Sequence, residues 1–139
     1  MDSQPPLLDK LKSLEEARIS SLPQVAYYVA DFITPEEEET LLRKIATAPK
    51  PRWTQLKNRR LQVWPSDLVK GATLLDTPLP EWLVNPVIPR LLSLPISTTE
   101  TSRSIFSESP HQTPNLVLIN EYLPGHGIMP HKDGPAYHP

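Results

Sequence analysis

The sequence predicts an α+β chain, with a helical layer on the N-terminal side and short strands after it. Three observations carry that expectation: a fully signalled helix start at Thr34, a hairpin pattern around Lys57-Asn58, and the apolar run Leu116-Val117-Leu118-Ile119. Eighteen prolines among 139 residues favour short elements and many turns over long helices.

Residues 7–18 set Leu7, Leu8, Leu11 and Leu14 at helical spacing, so residues 1–22 read as a short amphipathic helix or a loosely docked arm. Val25-Ala26-Tyr27-Tyr28-Val29 is rich in β-branched and aromatic residues and reads as a strand. At the next element Thr34 is the N-cap, Pro35 fits the first helical position, and Glu37 completes a capping box. Glu36 to Glu39 crowd the positive end of the helix dipole and are read as a solvated helix start rather than a metal or partner site. Leu41, Leu42, Ile45 and Ala46 form its apolar face, and Pro49 ends it.

Trp53–Leu56 and Arg60–Trp64 read as a hairpin turning at Lys57-Asn58. Pro80 to Leu94 has helical spacing interrupted by Pro86 and Pro89, which leaves at most two short helical pieces. Nine of the seventeen residues from Ser97 to Thr113 are Ser or Thr, so 96–114 is expected to be a disordered surface loop. Leu116 to Ile119 has the pattern of a strand covered on both faces, and Asn120 and Tyr122 continue the face of Leu116 and Leu118. That strand would bring an amide and a phenol side by side to an apolar pocket, an arrangement suited to a small carboxylate ligand.

A net charge of −2 excludes a globally basic nucleic-acid binder while leaving local patches open. Without cysteine there are no disulfides and no thiolate zinc sites, which suits a reducing compartment. The longest apolar run, Val25 to Ala30, is far too short to span a bilayer, and the N-terminus lacks a signal-peptide pattern. An intracellular soluble protein with no membrane partner is expected; its oligomeric state is not readable.

The richest stretch runs from Asn120 to Asp133. In an extended segment, His131 and Asp133 point to the same side and can meet one ion together, as two of the three ligands of a 2-His-1-carboxylate Fe(II) centre. The plainer reading is a surface turn in which His and Asp hydrogen-bond each other. Asn120 could equally cap the turn at Leu123-Pro124-Gly125, and Tyr122 could be ordinary core. His126 and His138 suggest a zinc site with His131 and Asp133, but their spacing is loose and exposed loop histidines are the preferred reading. Lys50, Arg52, Lys57, Arg59 and Arg60, flanked by Trp53 and Trp64, suit phosphate contact with base stacking, or a solvated basic hairpin whose tryptophans face the core.

The run Asn120-Glu121-Tyr122-Leu123-Pro124-Gly125 and the following His131-Lys132-Asp133 resemble the AlkB-like branch of the Fe(II)/2-oxoglutarate dioxygenases. Gly127-Ile128-Met129-Pro130 before His131, Gly134-Pro135 after Asp133, and the upstream blocks Tyr27–Ile33 and Ala48–Leu56 resemble the sixth eukaryotic subfamily of AlkB homologues. The resemblance covers most of residues 23–139.

That resemblance implies a double-stranded β-helix (a jelly roll) of which this chain carries the opening strands, the closing half being absent. It implies Fe(II) and 2-oxoglutarate as cofactors with O₂ as co-substrate, His131 and Asp133 as metal ligands, and Asn120 and Tyr122 as 2-oxoglutarate contacts. Lys57, Arg59 and Arg60 fall in the region of a substrate-recognition lid, with methylated nucleic acid as the partner and a cytoplasmic or nuclear setting. The implied reaction is oxidative demethylation or hydroxylation, and this chain alone is expected to be inactive. The alternative is a non-catalytic nucleic-acid or protein-interaction module derived from that family.

Overall fold

The computed structural model describes residues 11–22, 26–65 and 77–134. Leu7, Leu8, Val25 and His138, which enter the expectations above, lie outside the described residues. The architecture is α+β: three short helices and one three-stranded antiparallel sheet.

Helix α1 spans Pro35–Ala46 and begins as the sequence predicts. Thr34 Oγ1 accepts from the Glu37 backbone N–H at 3.1 Å, and the Glu37 carboxylate accepts from the Thr34 N–H at 3.0 Å. Two of the four N–H groups a helix start leaves without partners are thereby satisfied. At the other end, the Thr47 hydroxyl donates to the Arg43 carbonyl at 2.8 Å. The expected apolar face is only shallowly used. Leu41 and Ile45 are half-buried, Leu42 is 58% exposed, and no residue of α1 is fully buried.

Helices α2 (Glu81–Val84) and α3 (Val87–Leu92) are the two pieces that the prolines were expected to leave. Pro86 separates them, whereas Pro89 sits in the first turn of α3, where its missing N–H would have had no intrahelical partner. The core is small: Leu14, Leu83, Ile88 and Leu94 are the buried apolar residues. Leu14 begins a single 3-10 turn, Leu14–Ala17, in place of the longer helix, and its N–H donates to the Pro95 carbonyl at 2.9 Å. The N-terminal segment is thus tied to the chain just after α3.

The expected strand at 25–29 does not join the sheet. Tyr27 forms one isolated antiparallel bridge with Arg18, and Tyr28 is 70% exposed. A β-rich run needs a partner over several residues to propagate a ladder, and among the described residues it meets only the short segment 17–19: the Ile19 N–H donates to the Ala26 carbonyl and the Tyr28 N–H to the Ala17 carbonyl, both at 2.8 Å. Segment 96–114 contains no helix or strand; consecutive turns satisfy its polar groups, as when Ser97 Oγ accepts from the Glu100 N–H at 3.1 Å.

Strands β1 (Thr54–Gln55) and β2 (Arg60–Trp64) form the predicted hairpin, and β3 (Val117–Glu121) pairs antiparallel with β2. The register sets Arg60 opposite Glu121, Leu61 opposite Asn120, Gln62 opposite Ile119, Val63 opposite Leu118 and Trp64 opposite Val117. Directly opposed side chains share a face. One face therefore carries Gln62, Trp64, Val117 and Ile119 and packs against the helices; the other carries Leu61, Val63, Leu118 and Asn120.

On the packed face Gln62 is 0% exposed. Its Nε2 donates to the Ile45 carbonyl in α1 at 2.9 Å, and its Oε1 accepts from Trp64 Nε1 at 3.0 Å. Trp64 meets Trp82 of α2 edge-to-face, ring centroids 5.4 Å apart. One buried amide and two indoles thus tie sheet to helices. The opposite face is open: Leu118 is 42% exposed and Asn120 is also exposed. This corrects the expectation of a strand covered on both faces: among the described residues no second layer covers Leu118 and Asn120.

Candidate functional site

Asn120 is the fourth residue of β3, and Tyr122 follows the strand on the same face by the two-residue alternation. Tyr122 is 38% exposed, so the core-packing alternative does not describe it. Beyond it the chain turns sharply. The His126 N–H donates to the Leu123 carbonyl at 3.0 Å, with Pro124 and Gly125 as the central residues. Gly125 has φ +80°, the left-handed conformation that the third position of a type II turn demands, and Pro124 presets the second. That is the physical reason for a glycine at this point of the motif.

From Gly127 to Gly134 the chain has no regular secondary structure and is exposed throughout. Within it His131 Nδ1 lies 2.9 Å from the Met129 carbonyl. A carbonyl only accepts, so Nδ1 is the donor there, and in the neutral ring Nε2 is the nitrogen with the lone pair. Nε2 lies 3.7 Å from Asp133 Oδ1, too far for a hydrogen bond between them. The imidazole's hydrogen bond thus goes to the backbone two residues earlier, and its free nitrogen shares a gap with the carboxylate. Ligating histidines characteristically use such a bond on the far nitrogen to set ring orientation and tautomer. His131 and Asp133 are 52% and 80% exposed, and no group of three His, Cys, Asp or Glu side chains able to share a metal occurs among the described residues. Nor does a hydrogen bond or ion pair among those residues join Asn120 or Tyr122 to His131 or Asp133.

The basic hairpin divides into two kinds of residue. Arg60 is engaged: its Nε and a terminal nitrogen donate to the two carboxylate oxygens of Glu121 at 2.6 and 2.9 Å, and its guanidinium lies 4.0 Å from the Trp53 ring centroid. The paired guanidinium holds the Glu121 carboxyl below its usual range, and Glu121 raises Arg60 in return. Arg52 lies 3.9 Å over Trp64 and donates to the Val63 and Pro65 carbonyls at 3.3 and 2.8 Å. Each hairpin tryptophan therefore already has an arginine on a ring face, which favours the reading of both as structural. Lys57 and Arg59 make no side-chain hydrogen bond or ion pair among the described residues. They line a cleft of about 340 Å³ with Gln55, Asn58, Arg60, Glu121, Leu123 and His126.

Sequence reasoning passed over Glu121 and left His126 among ordinary loop histidines. Glu121 was legible only through its alternation: it points to the sheet face opposite Asn120 and Tyr122, where a directly opposed residue of a neighbouring strand can meet it. For His126 no signal precedes the fold.

The chain is 42% identical over 133 residues, 96% of its length, to a zebrafish (Danio rerio) protein described as a probable RNA/DNA demethylase, ALKBH6. It is 30% identical over 112 residues to an uncharacterized protein of Acanthamoeba polyphaga mimivirus. It spans about half the length of each, 51% and 46% respectively. No protein-family model matches it. Along nearly all of its sequence the chain is similar to an AlkB homologue, ALKBH6.

Proposed function

We propose that this chain contributes part of the catalytic centre of an Fe(II)- and 2-oxoglutarate-dependent dioxygenase that demethylates or hydroxylates methylated nucleic acid. The observation that carries the proposal is the His131 ring, donating from Nδ1 to the Met129 carbonyl with Nε2 on the Asp133 side, 3.7 Å from its Oδ1. The printed description of the zebrafish relative supports nucleic acid as the substrate. A nuclear or cytoplasmic setting goes with it.

In this reading His131 Nε2 and Asp133 hold the iron, and the Asn120 amide and Tyr122 hydroxyl donate to a carboxylate of 2-oxoglutarate. The bound metal supplies oxygen activation and the oxidising power for a substrate C–H bond. The chain's own residues do the rest. The Met129 carbonyl holds the imidazole tautomer, and the Leu123–His126 turn redirects the chain from strand to ligand segment. The open face of Leu61, Val63 and Leu118 becomes the apolar, water-excluding wall once further strands of a double-stranded β-helix lie against it. Two protein ligands leave the centre one short of a facial triad. A third ligand, and a cation for the far carboxylate of 2-oxoglutarate, would come from polypeptide in addition to these 139 residues.

The test is anaerobic titration of Fe(II) and 2-oxoglutarate into the protein in its full natural length. A metal-to-ligand charge-transfer band is expected in the wild type and absent from His131→Ala and Asp133→Ala. Both variants keeping the band at wild-type intensity would remove the ligand assignment. Nucleic-acid binding with no metal-dependent 2-oxoglutarate turnover would mark a non-catalytic binding module instead.

A further inference from the structure

The cleft between the hairpin turn and the Leu123–His126 turn has a use that the metal site does not account for. Its lining collects Lys57, Arg59, Arg60 and His126 around a single carboxylate, Glu121. That carboxylate is already spent, both oxygens being held by Arg60. Among the described residues Lys57 and Arg59 thus face the cleft as uncompensated cations. Arg59 Nε is buried without a hydrogen-bond partner, a defect that a bound acceptor would remove. Leu123 adds an apolar patch beside the charges. The volume, about 340 Å³, is near the lower end for small-ligand sites and exceeds what one oxyanion fills. The chemistry that satisfies a guanidinium N–H, an ammonium and an imidazole beside an apolar wall is a phosphate carrying a sugar. The position is informative as well. Glu121 and Arg60 share the sheet face opposite Asn120, so a phosphate held here lies on a different face from the Asn120–Tyr122 pair.

We propose that this cleft is a backbone-phosphate site, in which Lys57, Arg59 and His126 grip one phosphodiester of a single nucleic-acid strand. It rests on the nucleic-acid reading above and narrows it. Lys57 and Arg59 make the contact, His126 joins them, and Arg60 is withheld by Glu121. Glu121 is then a brake, since it neutralises a cation that could otherwise serve the phosphate.

The test is fluorescence anisotropy of the full-length protein with a single-stranded oligonucleotide lacking terminal phosphates, across a salt series. Lys57→Gln combined with Arg59→Gln should weaken binding about tenfold and flatten the log–log salt slope by about 1.4, since each lost contact to a single strand removes about 0.7. His126→Asn should weaken it severalfold. Glu121→Gln should tighten binding and steepen the slope, a gain that mere support of the fold cannot produce. Near-wild-type thermal midpoints in all variants check folding. Wild-type affinity and slope in the Lys57/Arg59 double variant, or weaker binding by Glu121→Gln, overturns the cleft assignment while leaving the nucleic-acid reading intact. If the wild type binds no oligonucleotide, both readings fall. The remaining source of a phosphate is a free nucleotide. Competition by inorganic phosphate or a nucleoside monophosphate at concentrations far below those screening the strand, with strand binding indifferent to the variants, would make this a free-nucleotide site and refute the backbone assignment.

Discussion

Replacing Arg90 by methionine should uncouple the start of α1 from α3. Arg90 donates to both carboxylate oxygens of Glu37, at 2.7 and 2.9 Å, and to the Phe32 carbonyl at 2.7 Å. The two side chains are 12% and 23% exposed, so the pair is neither a surface bridge nor fully buried. Surface pairs contribute about 0–1 kcal/mol, whereas removing one partner of a buried pair costs about 3–5 kcal/mol. Remaining exposure puts the expected loss between these ranges, at about 2–3 kcal/mol at neutral pH. For a chain of 139 residues that is a fall in Tm of about 7–10 °C. Hydrogen bonding from Arg90 is the main cause holding the Glu37 carboxyl below its ordinary value, assisted by the Thr34 N–H and opposed by partial burial. With the folded pKa depressed, the stabilisation is fully present above the unfolded carboxylate pKa, about 4.3. It is lost as pH falls through the lower folded value. Urea unfolding of wild type and Arg90→Met at pH 7 and through the acid range should show a gap that closes on acidification. Glu37→Gln should also destabilise, by leaving a half-shielded guanidinium without its anion, and the double variant should cost less than the two singles added. A gap below about 0.5 kcal/mol at pH 7, or one that widens toward acid, would refute the reasoning.

Gln62→Met keeps roughly the side-chain length while stripping the Ile45 carbonyl and Trp64 Nε1 of a shared buried partner. We expect a loss of about 2–4 kcal/mol, followed by tryptophan fluorescence in chemical denaturation; near-wild-type stability would mean the amide is replaceable packing. Gly125→Ala meets no atom within 4 Å, so its cost is purely conformational, about 1–2 kcal/mol at φ +80°. Amide exchange should speed up at His126 while β2 and β3 keep their protection, and unchanged exchange at His126 would contradict the turn's dependence on glycine.

The elements that the sequence predicts well are those whose signals lie within a few residues. The Thr34–Glu37 capping box, the prolines around α2 and α3, and the Lys57-Asn58 turn are contacts across four or fewer positions, so their chemistry is legible before any fold exists. The run at 25–29 failed as a strand for the converse reason. Propensity records that a segment suits a ladder, and only the rest of the chain decides whether a neighbour is there to pair.

His131 and Asp133 are likewise legible as two groups able to share an ion, because an extended backbone sets side chains two residues apart on one side. The Met129 carbonyl that orients the imidazole, in contrast, became visible only in the folded loop. The tertiary structure alone decided which cations are free. Arg59 and Arg60 are adjacent and chemically alike, and nothing local tells them apart. The β2–β3 register brings Glu121 opposite Arg60 across 61 positions and leaves Arg59 without a carboxylate among the described residues. The same register buries Gln62 rather than Leu61 against α1. Sequence by itself determined the residue types, the local turns and the motif; the pairing of distant strands decided which of those groups were spent on one another and which stayed available, because strand register assigns every side chain of a ladder to a face and a partner at once.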